Sequence, residues 1–374
     1  MDNVTHAALG IAAGIAVRRA GASLPAAALA GLLAGEGPDL DVFIRSAGDP
    51  LVSFRWHRHF THSFAFAPVW ALLSAWLTAW VFRWHRRPGG HIEAATPLSL
   101  SSRIGGWLSS WSYHDQAGHR WRELFLPALA GALTHLLCDG CTSYGTMLLW
   151  PFTETRYAWD CLPIIDLLAT LPLLVLAILA WRKHSPRLAT YGLLWFVAYA
   201  SLGRWQHARA ESSLRTWLAQ KNIDPGRLAV KPTISNLVVW RAVWLHDGRW
   251  QVAAIRNVPF TSTRLVIGES RAAWSADSAG NPPALSEGAH IIADFSRFTG
   301  GWNSYDVLPG AISVGDIRFS MLPTSSKPLW SVRCAPGGKL TDTALIMDRG
   351  LQEGDWSRLG ALLSGSDLRF IEIK

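Results

Sequence analysis

The sequence predicts an α-helical membrane domain followed by a β-rich soluble C-terminal domain. Hydrophobic residues fill 49% of the 374 positions and charged residues 17%, below the roughly 25% charge of an average soluble domain. Part of the surface is therefore expected to meet something other than water. The 21 Trp suit the headgroup boundary of a bilayer, where an indole buries its ring and keeps its N–H wet. The third observation is a change near residue 204, from long apolar segments to short runs separated by turn residues. A net charge of +8 and a pI near 9.6 then fit Lys and Arg that hold loops at an anionic leaflet. No basic stripe is interleaved with stacking aromatics, so no nucleic-acid partner is expected.

Two segments, Phe64 to Phe82 and Leu162 to Trp181, approach the roughly 20 apolar residues needed to cross a hydrocarbon core of about 30 Å. Shorter ones run from Val4 to Val17, Leu24 to Ala34, Leu124 to Cys138 and Leu188 to Leu202. Short helices can tilt or re-enter, which gives roughly four to six membrane helices in all. Asp2 and His6 precede the first segment and no basic stretch leads it, so no cleavable signal is expected. Positions 1–204 form this expected domain, 205–230 a linker and 231–374 the soluble domain. In the last, Leu237 to Leu245 and Trp250 to Ile255 flank the hairpin turn Asp247-Gly248. Arg264 to Ile267, His290 to Phe295 and Ile317 to Met321 read as further strands. No His, Asp or Glu cluster with ligand spacing occurs there, which suggests a structural or regulatory appendage. The four Cys imply no disulfide framework, and Cys138 and Cys141 read as small packing residues.

Ionisable residues gather at the apolar segment ends. His6 opens the first segment; Asp39 and Asp41 follow the second; His57, His59 and His62 precede the third. His135 and Asp139 close the fourth at a spacing of i to i+4, on one helical face, and Asp160 and Asp166 open the fifth. If the segments alternate in direction, all of these share one side. Arg18, Arg19, Arg83, Arg86, Arg87, Arg103, Arg120, Arg122, Arg182, Lys183 and Arg187 lie opposite. The positive-inside rule makes that side cytoplasmic, so the His/Asp cluster and the C-terminal domain are expected to be periplasmic. Arg45, Arg55 and Arg58 fall on the cluster side, where a guanidinium suits an anionic substrate. Imidazole and carboxylate without thiolate is a ligand set for zinc, manganese or iron, and ionisable groups at membrane depth are costly enough to imply function. Such an ion supports hydrolysis. A hydroxyl precedes three of the 13 His, in Thr5-His6, Thr61-His62 and Thr134-His135, where it can cap a helix or orient a ligand.

These residues resemble the YdjM-like inner-membrane metal-dependent hydrolases, also described as LexA-binding. The likeness lies in Asp2-Asn3-Val4-Thr5-His6, Pro38-Asp39-Leu40-Asp41, His57-Arg58-His59-Phe60-Thr61-His62-Ser63, Thr134-His135-Leu136-Leu137-Cys138-Asp139, Ser143-Tyr144-Gly145-Thr146, Trp150-Pro151-Phe152 and Ile164-Ile165-Asp166. It covers residues 1 to about 205. Gly37 and Leu167 depart from the family's usual residues beside Pro38 and Asp166. The resemblance implies metal ligands drawn from His6, Asp39, Asp41, His57, His62, His135, Asp139 and Asp166, with zinc foremost. The His-x3-Asp element is more distantly similar to one in phospholipase C and P1-type nucleases, which suggests a phosphoester or phospholipid-like substrate. On this reading Asp41 or Asp166 is the general base and Arg58 the anion clamp. The alternative is a non-catalytic membrane protein with a structural or transport metal, docking a cytoplasmic partner such as LexA.

Overall fold

Several helices in the first half begin where side chains take up the amides that a first turn leaves unpaired. The computed structural model describes residues 1–46, 48–84, 120–275, 278, 286–335, 337–339, 343–348, 350, 353–366 and 368–373; Arg86, Arg87 and Arg103 lie outside them. The chain divides into two compact units. One comprises Met1–Asp41, Arg58–Ala158 and Ile164–Ala200, the other Val42–His57, Trp159–Pro163 and Ser201–Lys374.

In the first unit, Asp2 caps α1 (Asn3–Ala16) by accepting from the Thr5 amide, and Ser23 caps α2 (Leu24–Glu36) by accepting from Ala26. α3 (Val52–Trp56) belongs to the second unit. α4 (Ala67–Trp84), α5 (Trp121–Gly140) and α6 (Leu167–Arg182) complete the first bundle with the beginning of α7 (Pro186–Gln220). α1 packs on α2, α5 and α6, and α4 on α2 and α5. The approach is close because small residues line the seams. A Cβ at Gly31 would stand 2.1 Å from the Gly10 carbonyl oxygen, and one at Gly131 would stand 2.2 Å from that of Gly31. α4 buries a stripe of Ala67, Ala71, Ala75 and Ala79 and turns Leu72, Leu73, Trp76 and Trp80 outward, Trp76 with 61% of its surface exposed. α6 and α7 likewise expose Leu168, Leu171 and Val175, and Leu194 and Val197.

The expected membrane domain of several spanning helices is corrected by the helix boundaries. No single helix among the described residues is long and apolar enough to cross a membrane. Phe60–His62 form a 3-10 turn, and α4 starts only at Ala67. The Asp166 cap delays α6 to Leu167, leaving 16 residues, roughly 24 Å at 1.5 Å per residue. α5 has 20 residues but includes Arg122, Glu123, His135 and Asp139. Two pieces separated by a break, Val52–His62 and Ala67–Arg83, reach the length and composition only when taken together.

In the second unit, β1 (Leu228–Pro232), β2 (Val239–His246), β3 (Arg249–Arg256), β4 (Thr263–Ala272) and β9 (Ile371–Ile373) form an antiparallel sheet in the order β1-β2-β3-β4-β9. β5 (Asn303–Leu308), β6 (Ala311–Asp316), β7 (Trp330–Cys334) and β8 (Thr343–Met347) form a second one in sequence order. His246 pairs with Arg249 across Asp247 and Gly248, whose φ values of 49° and 68° suit a two-residue hairpin turn. Trp240, Trp250, Val252 and Ile255 fill the core. The stretch expected as a linker holds the end of α7, which is tied to the sheet. Gln206 donates to the Leu237 and Asn257 carbonyls, and Asn257 donates back to the Gln206 carbonyl. His290 to Phe295 lies in helix α8 (Glu287–Thr299), capped by Ser286 and ended by left-handed Gly300, and is not a strand. Ile317 to Met321 follows the end of β6 as turns. α9 (Asp355–Ser364) is the unit's other late helix.

Candidate metal centre

Four side chains meet inside the first unit: Asp39 from the turn after α2, His62 from the 3-10 turn before α4, and His135 and Asp139 from one face of α5. Their ligand atoms all lie within 4.8 Å of one another. His62 Nε2 is 3.3 Å from Asp39 Oδ1 and 3.4 Å from Asp139 Oδ2; His135 Nε2 is 3.7 Å and 3.5 Å from the same two atoms. Ligands at tetrahedral corners about 2.0–2.1 Å from zinc stand about 3.3–3.4 Å apart, so the spacing fits a small cation.

The outer nitrogen of each imidazole is held. His135 Nδ1 donates to the Gly35 carbonyl at 2.5 Å. His62 Nδ1 faces Asp41 Oδ2 at 3.2 Å and the Thr61 hydroxyl at 3.0 Å, while Thr61 donates to Asp41. Each Nε2 is thereby left as the inward atom, the usual support of a metal-bound histidine. His135 Nε2 and Asp139 Oδ2 are buried without a hydrogen-bond partner among the described residues. Buried polar atoms are seldom left so, and a cation would satisfy both. The ligands present therefore fit a metal.

Asp139 Oδ1 accepts from the α-amino group of Met1 at 2.5 Å and from Arg58 Nη2 at 3.0 Å. Burial would raise the Asp139 carboxyl, but Arg58 and the amine hold it well below the usual range. Burial would likewise raise Asp39, yet His62 and then His135 keep it low. For His62, burial acts downward and is outweighed by Asp39 and Asp41, which raise its pKa. His6 stacks on His135 with centroids 3.8 Å apart and lies 3.3 Å from Asp139 Oδ1. Burial and then His135 push its pKa down to about 3, so it stays neutral.

His6, Asp39, Asp41, His62, His135 and Asp139 are thus brought together. His57 ends α3, its amide donating to the Ser53 carbonyl. Asp166 is engaged as the α6 cap: Oδ1 accepts from the Leu168 and Ala169 amides, and Tyr199 donates to both oxygens. It is not in the four-residue group. Arg58, 4% exposed, spends Nη1 on Thr142 and Nη2 on Asp139. His59 packs against Phe60 and Trp150. Sequence reasoning missed Met1, Gly35 and Thr142, which act through backbone or terminal atoms or a plain hydroxyl; of the three Thr-His pairs it singled out, Thr61-His62 is one in which the hydroxyl meets the ring. All four cysteines are free.

A family model described as YdjM inner membrane protein matches residues 1–210, a stretch that contains the whole cluster. Neither the curated proteins nor the solved structures contain a match. The likeness to phospholipase C and P1-type nucleases rests on the His-x3-Asp spacing alone.

Proposed function

The chain belongs to the YdjM inner membrane protein family, and from that premise we propose that it is a metal-dependent hydrolase of a phosphoester at the inner membrane. The facing His135 Nε2 and Asp139 Oδ2, buried without a hydrogen-bond partner among the described residues, are the observation that carries this reading. His62, His135 and Asp139 would hold the ion, zinc by the donor set. A divalent ion bound there supplies Lewis acidity toward a phosphoryl oxygen and lowers the pKa of water.

The protein's own residues do the remaining work. Asp41 fixes the His62 ring, Gly35 fixes His135, and Arg58 neutralises the outer oxygen of Asp139. Asp39, with 18% of its side chain exposed, is the carboxylate that water reaches, and it accepts the proton of the attacking water. Asp41, whose Oδ2 takes the Arg58 amide and the Thr61 hydroxyl, and Asp166, whose two oxygens take Leu168, Ala169 and Tyr199, act as positioning and capping residues. The outward Leu and Trp of α4, α6 and α7 support contact with membrane lipid. The basic segments opposite the cluster in the sequence support a periplasmic site.

A second reading has its own observation. Four converging side chains can close a tetrahedral site completely, which suits a structural ion. Asp39→Asn separates the two. If Asp39 is the base, the variant retains the metal of the wild type and loses hydrolysis of a phosphodiester or phospholipid. If Asp39 is a fourth structural ligand, metal is lost with it. His135→Ala with Asp139→Ala is expected to remove bound metal by elemental analysis; unchanged content would end both readings.

A further inference from the structure

The turn between β3 and β4 presents Phe260 in an arrangement that costs free energy twice. Its side chain is 95% exposed, and its φ of 62° lies in the left-handed region that a bulky residue rarely adopts. Pro259 precedes it, and the Thr261 amide donates to the Val258 carbonyl at 3.3 Å. Phe260 thus holds the third position of a four-residue turn, where glycine or asparagine would avoid the strain. In water nothing offsets either cost, and a backbone outlier of this kind marks a place to look for function.

The turn is braced and has apolar company. Arg209 of α7 donates through Nη1 to the Val258 carbonyl at 2.8 Å and through Nη2 to the Thr261 carbonyl. Its Cζ lies 5.7 Å from the centre of the Trp205 ring, which stands 6.1 Å from the Phe260 ring and is 44% exposed. The loop before β2 is tied in by Asn257, whose amide donates to the Val238 carbonyl at 2.7 Å, and it presents Ile234 at 41% exposure. Val239 pairs with Arg256, so both loops leave the same end of the sheet, opposite the Asp247-Gly248 turn. Arg256 pairs with Arg264, and Arg264 with Glu372. Among the described residues of these loops and strand ends, Arg209, Arg256 and Arg264 outweigh Glu372 and leave this end positive.

We propose that this end of the sheet docks on the anionic surface of a phospholipid bilayer, with the Phe260 and Trp205 rings at the boundary of the acyl chains and the three arginines at the phosphates. Indole suits that depth, and guanidinium is drawn to the negative leaflet. Interfacial binding grows with the apolar area buried and with attraction to anionic lipid, and this surface offers both. The match to a family described as an inner membrane protein reaches residue 210 and takes in Trp205 and Arg209, which favours a bilayer over a protein as the partner. The docking is independent of the metal centre and of the hydrolase reading.

A nitroxide at residue 260, attached through Phe260→Cys in the full-length protein, tests the docking in vesicles of phosphatidylethanolamine and phosphatidylglycerol. Labelling of the native cysteines is measured on the unsubstituted protein and subtracted. Asp247→Cys carries the control label beyond the other end of β3, a strand of eight residues or about 26 Å. Collisions with oxygen, which concentrates among acyl chains, are compared with collisions with a water-soluble nickel chelate. The oxygen-to-nickel ratio at 260 is expected to exceed that at 247 several-fold, and a label at Ile234→Cys should follow 260. A ratio at 260 no higher than at 247 would overturn the docking. Shielding of 260 from both probes would place a protein or a second copy of the chain over the loop and overturn it equally. An undiminished ratio in vesicles of phosphatidylcholine alone would overturn the role given to the arginines.

Discussion

His62 shows how one residue outside the ligand set governs the centre. Its Nδ1 meets Asp41 at 3.2 Å, so the carboxylate sets the tautomer and raises the basicity of the nitrogen that would face an ion. Asp41→Asn keeps the shape and removes the charge. Metal affinity is expected to fall by about 10–100-fold, read by chelator competition, with the fold intact. An unchanged affinity would return Asp41 to a purely structural role. In the second unit, His207 accepts from Arg204 on Nδ1 and donates from Nε2 to the Val230 carbonyl, so it uses both nitrogens as a neutral ring. Burial lowers its pKa most. Below the ordinary histidine value the unfolded chain binds a proton that the native ring resists, so the stabilisation is full above that value and lost as pH falls through it. The unfolding midpoint should therefore drop between pH 7.5 and 5.5, by less in His207→Gln; parallel midpoints would contradict this.

At the scale of helices, the ligand positions depend on how closely α1, α2 and α5 cross. Gly31 sits between the Gly10 carbonyl and Gly131, and Gly35 supplies the acceptor for His135. Gly31→Ala should destabilise the protein by about 1–3 kcal/mol through overpacking, measured by denaturant unfolding, and should weaken metal binding as well. A midpoint within error of wild type would show that the seam relaxes. Elements with local signals were legible in advance. The apolar segments from Val4 and Leu24 lie within a residue of the starts of α1 and α2, and the β2–β3 hairpin lies at Asp247-Gly248. α8 was misread as a strand because His290 to Phe295 is a short apolar run with no clear period, although the Ser286 cap and Gly300 stop were both present. α4 and α6 came out shorter than their apolar segments. A 3-10 turn and the Asp166 cap, which hydropathy alone does not register, set their starts.

For the whole molecule, the distribution of size is telling. Alanine faces inward along α4, while leucine and tryptophan face out, an arrangement that a water-facing surface would not favour. The chain is expected to sediment with the inner membrane and to resist extraction by high salt. Leu73→Lys with Trp76→Lys should shift it toward the soluble fraction, and a phosphatase reporter fused to the C-terminus should be active if that end is periplasmic. Recovery in the soluble fraction for wild type, or an inactive reporter on a membrane-bound chain, would overturn the respective placement. The sequence by itself determined that His and Asp gather at segment ends, that His135 and Asp139 share one helical face, and that helices precede sheets, though α7 runs on to Gln220, because these depend on neighbours a few residues apart. Only the tertiary structure decided that Asp41 meets His62, that Asp166 caps a helix and that Arg58 pairs with Asp139. Those roles depend on which of several equivalent carboxylates or guanidiniums packing brings within 3 to 4 Å of a partner, and no local pattern encodes that choice.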